Sequence, residues 1–349
     1  MVTVVYTPAY QVYLSRRCAF SCDYCNFPNI ASPLPPSPKK FRSHLRTAQR
    51  MGAWQVTLTS GEGIDRLAEI ESTTRYYGFK NWYDYLFDIC RSTLEARGRQ
   101  PLTPVLDVGP IPTLALRKLA PVVPLMRLLL DSADPALDIT VHAQAPQKKL
   151  LLRTLALTDI ARAGIPLSTG IRIGIGESPE SWTEAVRIIN DIHLKYNNVM
   201  SFHLVPFVPE NFSVMANTPP VTIDVFQAAI RAVRACLDPS IILVAEVHHR
   251  LALAAESVVS GAFDLGPIRI ADNERFDVDM LNAVQNVGDI LGKINVGMEC
   301  SPVLRKQFVK TRKLPPIIQA NQQRFGQLDR SACSRSDTPA AGNPISMLQ

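Results

Sequence analysis

The stretch AYQVYLSRRCAFSCDYC, residues 9–25, joins a strand-like run to three closely spaced cysteines. The run YQVYL is rich in β-prone residues, which predicts a buried strand. Cys18, Cys22 and Cys25 follow it in C-x3-C-x2-C spacing, which suits a metal ion or an iron–sulfur cluster. A structural zinc site needs four ligands, and the nearest histidine, His44, lies beyond a proline-rich segment. A 4Fe-4S cluster held by three cysteines instead keeps one iron open to a small-molecule ligand.

Strand-like and helix-like segments alternate along most of the chain. Such alternation predicts a parallel sheet with right-handed crossovers, and its many repeats predict an α/β fold, a partial or full TIM-like β/α barrel. In these barrels the chemistry lies on loops after the strands, where the cysteine loop falls. The predicted strands are residues 10–14, 54–60, 103–109, 125–132, 166–176, 199–207 and 240–247, and the predicted helices are 39–51, 82–97, 147–163, 179–195 and 222–236.

The character of the chain changes near its end. Residues 1–300 are predicted to form the barrel domain, and residues 301–349 a basic C-terminal extension that includes LRKQFVKTRK. From about residue 331 the extension is small, polar and unpatterned, which predicts disorder.

Composition narrows the class of protein. Of the 349 residues, 46% are hydrophobic and 19% charged, which is ordinary for a globular chain. No uncharged apolar run reaches about 18 residues, so no membrane span is expected, and no secretory signal is recognised at the start. We therefore expect a cytoplasmic protein, whose remaining cysteines are buried or idle thiols. The net charge of +6 is partly in the tail, without a basic, aromatic-interleaved stripe, so nucleic acid is not an expected partner. The remaining cysteines are Cys90, Cys236, Cys300 and Cys333.

The cysteine loop resembles the signature of the radical S-adenosylmethionine superfamily, because an aromatic residue, Tyr24, stands just before the last cysteine. The resemblance implies that Cys18, Cys22 and Cys25 hold a 4Fe-4S cluster. It also implies that the amine and carboxylate of S-adenosylmethionine chelate the open iron. One electron from the reduced cluster would then give methionine and a 5′-deoxyadenosyl radical. A zinc loop is the alternative.

Two further stretches resemble motifs of the same superfamily. TSGEG, residues 59–63, resembles the Gly-Glu motif that receives the amino group of S-adenosylmethionine, although alone it would predict only a β-to-α turn. GIRIGIGE, residues 170–177, resembles the fifth-strand motif that packs around the adenine. It is not a dinucleotide fingerprint, because Pro179 stands where the third glycine would be. The implied cofactor-binding residues are Tyr24, Ser60, Gly61, Glu62, Thr169, Gly174 and Gly176.

Within the superfamily the chain resembles the 7,8-didemethyl-8-hydroxy-5-deazariboflavin synthases, in particular the second-step chain of the two-chain form. The likeness covers about residues 3–290 and includes HAQAPQKK (142–149) and a late glycine-rich turn, GAFDLGPI (261–268). It implies that a partner radical enzyme joins tyrosine to a ribityl-diaminouracil. This chain would then close the deazaflavin ring from that adduct and release ammonia. A one-electron donor such as flavodoxin or ferredoxin would reduce the cluster.

The substrate half of the chain departs from that family. Asp107 stands where an asparagine is usual, and the fourth strand carries Arg127 and replaces a glutamate by Asp131. In the sixth strand Val205 replaces a glutamine, with His203 nearby. A divergent radical enzyme acting on another small aromatic substrate is therefore the alternative function. The candidate catalytic residues are Asp107, Asp131, His142 and Lys148.

Each candidate also has a purely structural interpretation. The aspartates are candidate helix caps, the lysine a candidate exposed helix-start residue, and the histidine a candidate structural one. Glu246, His248 and His249 lie close in sequence but lack a distant further ligand, so a metal site is not predicted there. A non-enzymatic zinc-binding or nucleic-acid-binding protein is the third class to be tested.

Overall fold

The computed structural model describes residues 2–29, 34–248, 250–274 and 278–300. Its strands form one parallel sheet, in which β2 to β8 follow each other in chain order. β1 pairs with both β2 and β8, so eight strands close into a barrel, and β9 pairs with the start of β1. The strands are β1 (Val2–Ser15), β2 (Gln55–Ser60), β3 (Thr103–Asp107), β4 (Met126–Arg127), β5 (Leu167–Ile173), β6 (Val199–Pro206), β7 (Ile242–Ala245), β8 (Asp264–Asp272) and β9 (Val296–Cys300).

Helices cover the outside of the barrel, and the predicted β/α barrel is confirmed as a closed one. Capping side chains define several helix starts: the Ser37 hydroxyl accepts from the Lys40 amide, and Thr222 caps α7 in the same way. The helices are α1 (Pro38–Arg50), α2 (Ala68–Tyr76), α3 (Trp82–Leu94), α4 (Thr113–Leu119), α5 (Leu150–Arg162), α6 (Glu180–Tyr196), α7 (Ile223–Cys236), α8 (Ala254–Val259) and α9 (Val278–Gly292).

The strand side chains alternate between two environments. Those on one face join the large core between the sheet and the helices, as Leu167, Ile171 and Ile173 of β5 do. Those on the other face fill the inside of the barrel. At its lower end the inside is closed by a small apolar cluster of Val5, Val105, Leu125, Met200, Ile242 and Val244. A site for chemistry is therefore expected above this floor, toward the carboxyl ends of the strands.

Several local expectations were wrong. The fourth strand is predicted at 125–132, but regular pairing stops at Arg127, and Asp131 returns to the sheet only through an isolated bridge to Ile171. The late glycine-rich segment is not only a turn, because the strand β8 begins at Asp264. Gly266 has a φ of +71° within that strand. A glycine at such an irregular position interrupts the sequence pattern by which a strand is recognised.

Some expectations concern the ends and the isolated cysteines. Cys90 is a buried free thiol as expected, whereas Cys236 is disulfide-bonded and not idle. The basic extension, residues 301–349, with its predicted disorder from about 331, lies outside the described residues, as does His249. The boundary of the barrel domain at residue 300 stays a prediction. Within the described ranges, no helix has the length and apolarity required to span a bilayer.

Candidate active site

The cysteine loop is fixed to two neighbouring loops at the carboxyl end of the barrel. The Ala19 amide donates to the Glu62 carbonyl after β2 at 2.9 Å. The amides of Ser21 and Asp23 donate to carbonyls of residues 144 and 141, after β4, at 3.2 and 3.1 Å. The loop therefore has a defined shape, with all three cysteines as free thiols.

Gly61 allows the cysteine loop to approach β2. A Cβ atom at Gly61 would lie 2.0 Å from the carbonyl oxygen of Arg17, so only glycine fits without displacement of that backbone. Ser60 donates its hydroxyl to the Gly61 carbonyl at 2.9 Å. The close approach brings the Cys18 Sγ to 3.6 Å from the Glu62 carbonyl oxygen. The thiols and the Glu62 segment thus form one unit.

The chemistry of the three thiols fits an iron–sulfur cluster. Burial raises the pKa of all three, to about 12 for Cys22, so as free groups they hold their protons at neutral pH. Binding to iron removes that penalty, because each thiolate is then paired with positive charge. Across the described ranges, no three His, Cys, Asp or Glu side chains are arranged around a point that suits a single ion. A 4Fe-4S cluster makes a different demand, because each thiolate binds its own iron.

Asp131 is the centre of a buried group of charges beside the loop. Its Oδ1 lies 3.1 Å from the Arg172 Nε and 3.3 Å from the Tyr24 hydroxyl. Its Oδ2 lies 2.5 Å from the Lys148 Nζ and 3.4 Å from Arg153 Nη2. Burial alone would raise the pKa of Asp131, but the three cations lower it well below its ordinary value. The carboxylate therefore stays ionised although only 1% of it is exposed.

The backbone at Asp131 is also unusual, with a φ of +68°. A non-glycine residue in this left-handed region costs roughly 1–3 kcal/mol and is found where surrounding contacts determine it. Here the Asp131 amide donates to the Gly170 carbonyl, and the Arg172 amide donates to the Asp131 carbonyl at 2.8 Å. The turn points the carboxylate toward the cations.

Glu62 shares the same cations. Its Oε1 accepts from Arg153 Nη2 at 2.9 Å and lies 3.3 Å from the Lys148 Nζ. Burial would raise its pKa, but Arg153 and Lys148 lower the pKa of Glu62 to about 2. Its Oε2 is buried and has no hydrogen-bond partner among the residues that the structure describes. Glu62, Asp131, Lys148, Arg153 and Arg172 are called the charge cluster below, and the Glu62 Oε2 is its available acceptor.

Tyr24 connects the cysteine loop to His142. The Tyr24 hydroxyl lies 3.3 Å from the His142 Nε2, and the two rings meet edge to face with centroids 5.7 Å apart. The Arg172 guanidinium stacks on the Tyr24 ring at 4.6 Å. Burial lowers the pKa of His142 to about 4, so its imidazole is neutral at pH 7. The neutral ring has one nitrogen that accepts a proton or a hydrogen bond.

The turn after β5 is held by a carboxylate that the sequence did not single out. The Glu177 carboxylate accepts hydrogen bonds from the amides of Gly174 and Ile175 at 2.8 and 2.9 Å. Gly174 and Gly176 have φ values of +96° and +104°, which only glycine adopts easily. The turn places Ile175 in one apolar cluster with Cys22, Tyr24, Leu137, Val141, Ala145 and Phe207.

A second polar group lies deeper, inside the barrel. Arg127 donates through Nη1 to Asp107 Oδ2 at 3.0 Å and through Nη2 to Glu246 Oε1 at 2.8 Å. The same Glu246 oxygen lies 2.6 Å from the His203 Nδ1. Asp107, Arg127, His203 and Glu246 are called the lumen network below. Ser168, which contacts His203, precedes Ile171 by three residues, so the network lies roughly 10 Å below Asp131 along the strand.

The structure brings most of the predicted residues together, though not all. Lys148, predicted as candidate catalytic or exposed, is buried between two carboxylates. Thr169 lies apart, because it is on the helix-facing side of β5 with Leu167 and Ile171. The sequence analysis missed Arg153, Arg172 and Glu177. Arg153 had no reliable local signal, because Leu151 and Leu152 before it are exposed while Arg153 itself is buried.

Sequence comparisons find relatives of one name. The chain is 30% identical over 203 residues to a 7,8-didemethyl-8-hydroxy-5-deazariboflavin synthase of Methanobrevibacter smithii, matching 56% of this chain and 58% of the relative. It is 29% identical over 238 residues to the synthase of Archaeoglobus fulgidus, matching 68% and 70% of the two chains. The match thus spans little more than half of the first relative. No family model matches the chain.

Comparison with solved structures supports the fold independently. The crystal structure of HydG, a maturase of the [FeFe]-hydrogenase, superposes with a TM-score of 0.68 at 12% identity, covering 95% of this chain and 80% of HydG. The methylornithine synthase PylB superposes with a TM-score of 0.64 at 16% identity, covering 88% and 85%. At these identities the likeness establishes the fold. The resemblance predicted from the cysteine loop is confirmed in sequence and fold: the chain is similar to proteins named 7,8-didemethyl-8-hydroxy-5-deazariboflavin synthase, and it shares the barrel fold of HydG and PylB.

Proposed function

We propose that the chain is a radical S-adenosylmethionine enzyme of deazaflavin cofactor biosynthesis. It closes the deazaflavin ring of a tyrosine–ribityl-diaminouracil adduct and releases ammonia. The observation that carries the proposal is the cysteine loop: its three free thiols follow β1, and the Cys18 thiol and the Ala19 amide both donate to the Glu62 carbonyl. The synthase relatives make the deazaflavin the first choice of product.

Cys18, Cys22 and Cys25 hold the 4Fe-4S cluster in this proposal. The bound cluster and S-adenosylmethionine together supply the carbon radical that removes a hydrogen atom from the substrate. Glu62 receives the ammonium of S-adenosylmethionine, because its Oε2 is a buried, ionised acceptor to which no described residue donates. A charge-assisted hydrogen bond of this kind contributes roughly 1.5–3 kcal/mol.

The other residues of the charge cluster keep Glu62 in place and ionised. Arg153 is fully buried and donates to Glu62, while Lys148 lies between Glu62 and Asp131. Arg172 keeps 30% of its side chain exposed, so it offers a cation to a carboxylate of the cofactor or substrate. The Gly174–Gly176 turn and Ile175 form an apolar wall that suits the adenine.

His142 and Lys148 are the proposed proton-handling groups. Leaving of ammonia requires a proton on the departing amine, and the Lys148 ammonium lies in the charge cluster to hold one. His142 is neutral and accepts a proton or hydrogen bond through a ring nitrogen. Asp131 orients both groups: it contacts Lys148 directly, and it reaches His142 through the Tyr24 hydroxyl.

A second candidate function is a radical enzyme acting on another small aromatic substrate. The observation that favours it is the lumen network, because Asp107 and Arg127 stand where the sequence departs from the synthase pattern and are ion-paired inside the barrel. The two candidate functions use the same cofactor-binding half of the site and differ in the substrate.

Partners and location remain part of the proposal. The substrate adduct requires a partner radical enzyme to join tyrosine to the diaminouracil, and the cluster requires a one-electron donor such as flavodoxin or ferredoxin. Both suit the cytoplasmic location proposed from the sequence.

The test is anaerobic reconstitution with iron and sulfide, followed by mass analysis of products. With the tyrosine–diaminouracil adduct and S-adenosylmethionine, we expect 5′-deoxyadenosine and the deazaflavin chromophore, and neither from the Cys22→Ala protein. Cys90→Ala is the matched control, because Cys90 is buried far from the loop in the helical layer. If 5′-deoxyadenosine forms but the adduct is unchanged, the second candidate function is favoured; if neither forms, both are wrong.

A further inference from the structure

The lumen network offers a defined ligand chemistry. Arg127 is the cation of this network, and both of its terminal nitrogens already donate to carboxylates, one to Asp107 and one to Glu246. Two carboxylates share one guanidinium, so the network has an excess of negative charge. An added carboxylate or phosphate at this depth would therefore meet repulsion from the two carboxylates, and both terminal nitrogens of Arg127 are already occupied.

His203 completes the network on the other side of Glu246. Its Nδ1 lies 2.6 Å from Glu246, and its Nε2 lies 2.7 and 2.9 Å from the hydroxyls of Ser168 and Ser201. Nδ1 is placed to donate to the carboxylate, and Nε2 lies between the two serine hydroxyls. Glu246 is thus held on one side by Arg127 and on the other by His203.

Asp107 presents the network to the space above it. One of its oxygens accepts from Arg127, and the side chain keeps 25% of its surface exposed. Burial raises the pKa of Asp107, with Arg127 opposing the shift and Glu62 adding to it. A Cβ atom at Gly109, two residues after Asp107, would lie 2.5 Å from the Glu62 Cγ, so the end of β3 lies against the charge cluster. A molecule held near the cysteine loop therefore reaches Asp107 with its far end.

We infer that the lumen network is a binding site for an uncharged, hydrogen-bond-donating end of the substrate, carrying hydroxyl or amino groups, and that it rejects an anionic end. The inference rests on the proposed function, in which the substrate carries a ribityl chain. Asp107 accepts hydrogen bonds from the hydroxyls of that chain. Glu246 and His203 are positioning residues, because they act through Arg127 and do not reach the ligand in this account.

The test compares two probes with the cluster-reconstituted protein by calorimetry, without turnover. One probe is ribityl-diaminouracil, and the other is the same molecule with a phosphate on the terminal ribityl hydroxyl. We expect the parent protein to bind the unphosphorylated probe about 10- to 100-fold more tightly, because the phosphate faces two carboxylates. Asp107→Asn keeps the shape but removes one charge, so it should reduce that ratio by about 10-fold.

Asp191→Asn is the matched control, because Asp191 lies 47% exposed on α6, and it should leave the ratio unchanged. The comparison of probes in the parent needs no variant to fold. Equal or tighter binding of the phosphorylated probe would overturn the inference, as would failure of both to bind at millimolar concentration. So would an unchanged ratio in folded Asp107→Asn protein. Deazaflavin formation is measured separately: product without the expected ratio refutes only the inference, and the ratio without product refutes only the function.

Discussion

Arg153→Met is the most informative single substitution in the charge cluster. Arg153 lies on α5 with none of its side chain exposed, and its Nη2 contacts both Glu62 and Asp131. Methionine preserves most of the volume and removes the charge. The two carboxylates then keep Lys148, and Asp131 keeps Arg172, but one of the two cations that bridge them is lost.

The size of the effect follows from burial. Removal of one partner from a buried ion pair costs roughly 3–5 kcal/mol, because the remaining charge is uncompensated. Unfolding entropy of about 2.1 cal/mol/K per residue gives roughly 0.6 kcal/mol/K for about 300 residues. The expected fall in melting temperature is therefore about 5–8 °C. The pKa of Glu62 should rise as well, because Arg153 is the largest cause that lowers it.

The assay is thermal unfolding followed by circular dichroism, with Arg187→Met as control. Arg187 pairs with Glu184 on the exposed face of α6, where an ion pair contributes about 0–1 kcal/mol. The control should shift the melting temperature by less than about 2 °C. If Arg153→Met melts like the parent, the charge cluster does not stabilise the barrel and the reasoning is refuted.

Three further predictions follow from the same contacts. Glu62→Gln should weaken S-adenosylmethionine binding about 10- to 150-fold, measured by equilibrium dialysis, while exposed Glu184→Gln should not; parent-like affinity would contradict the assignment. Gly61→Ala should prevent cluster loading, measured as bound iron, because its Cβ would lie 2.0 Å from the Arg17 carbonyl oxygen, whereas Gly292→Ala meets nothing within 4 Å and should load normally. The Glu62 pKa is lowered from 4.5 to about 2, so its stabilisation is present above pH 4.5 and is lost as the pH falls toward 2. Acid titrations of the unfolding free energy should therefore fall less steeply for Glu62→Gln than for the parent, and parallel curves would contradict this.

The sequence predicted the architecture well because each buried strand carries a local signal. Apolar runs separated by amphipathic helices specify a parallel barrel without knowledge of any contact. The fourth strand shows the limit of such patterns. Its apolar run, LMRLLLDS, continues past Arg127, but the pairing stops there because the turn at Asp131 is set by contacts with β5.

The candidate site was predictable only where a motif marks it. The cysteines, Glu62 and the glycine turn each belong to a short sequence motif, so they could be recognised without knowledge of the fold. Arg153 was not recognised, because an arginine on a helix usually lies in solvent and only tertiary packing reverses that expectation. Thr169, predicted to bind the cofactor, lies on the helix-facing side of β5, because the two-residue period of the strand decides which face a residue occupies. The lumen network joins Asp107 of β3, Arg127 of β4, His203 of β6 and Glu246 just after β7, which no local pattern reveals.

The most direct test of the central claim is the metal content of the anaerobically reconstituted protein, measured with its electron paramagnetic resonance spectrum. The account predicts about four iron and four sulfide per chain. It also predicts a reduced-cluster signal that changes when S-adenosylmethionine is added, and loss of both in the protein with Cys18, Cys22 and Cys25 replaced by alanine. Stoichiometric zinc without labile sulfide, or a reduced-cluster signal that S-adenosylmethionine leaves unchanged, would contradict the account.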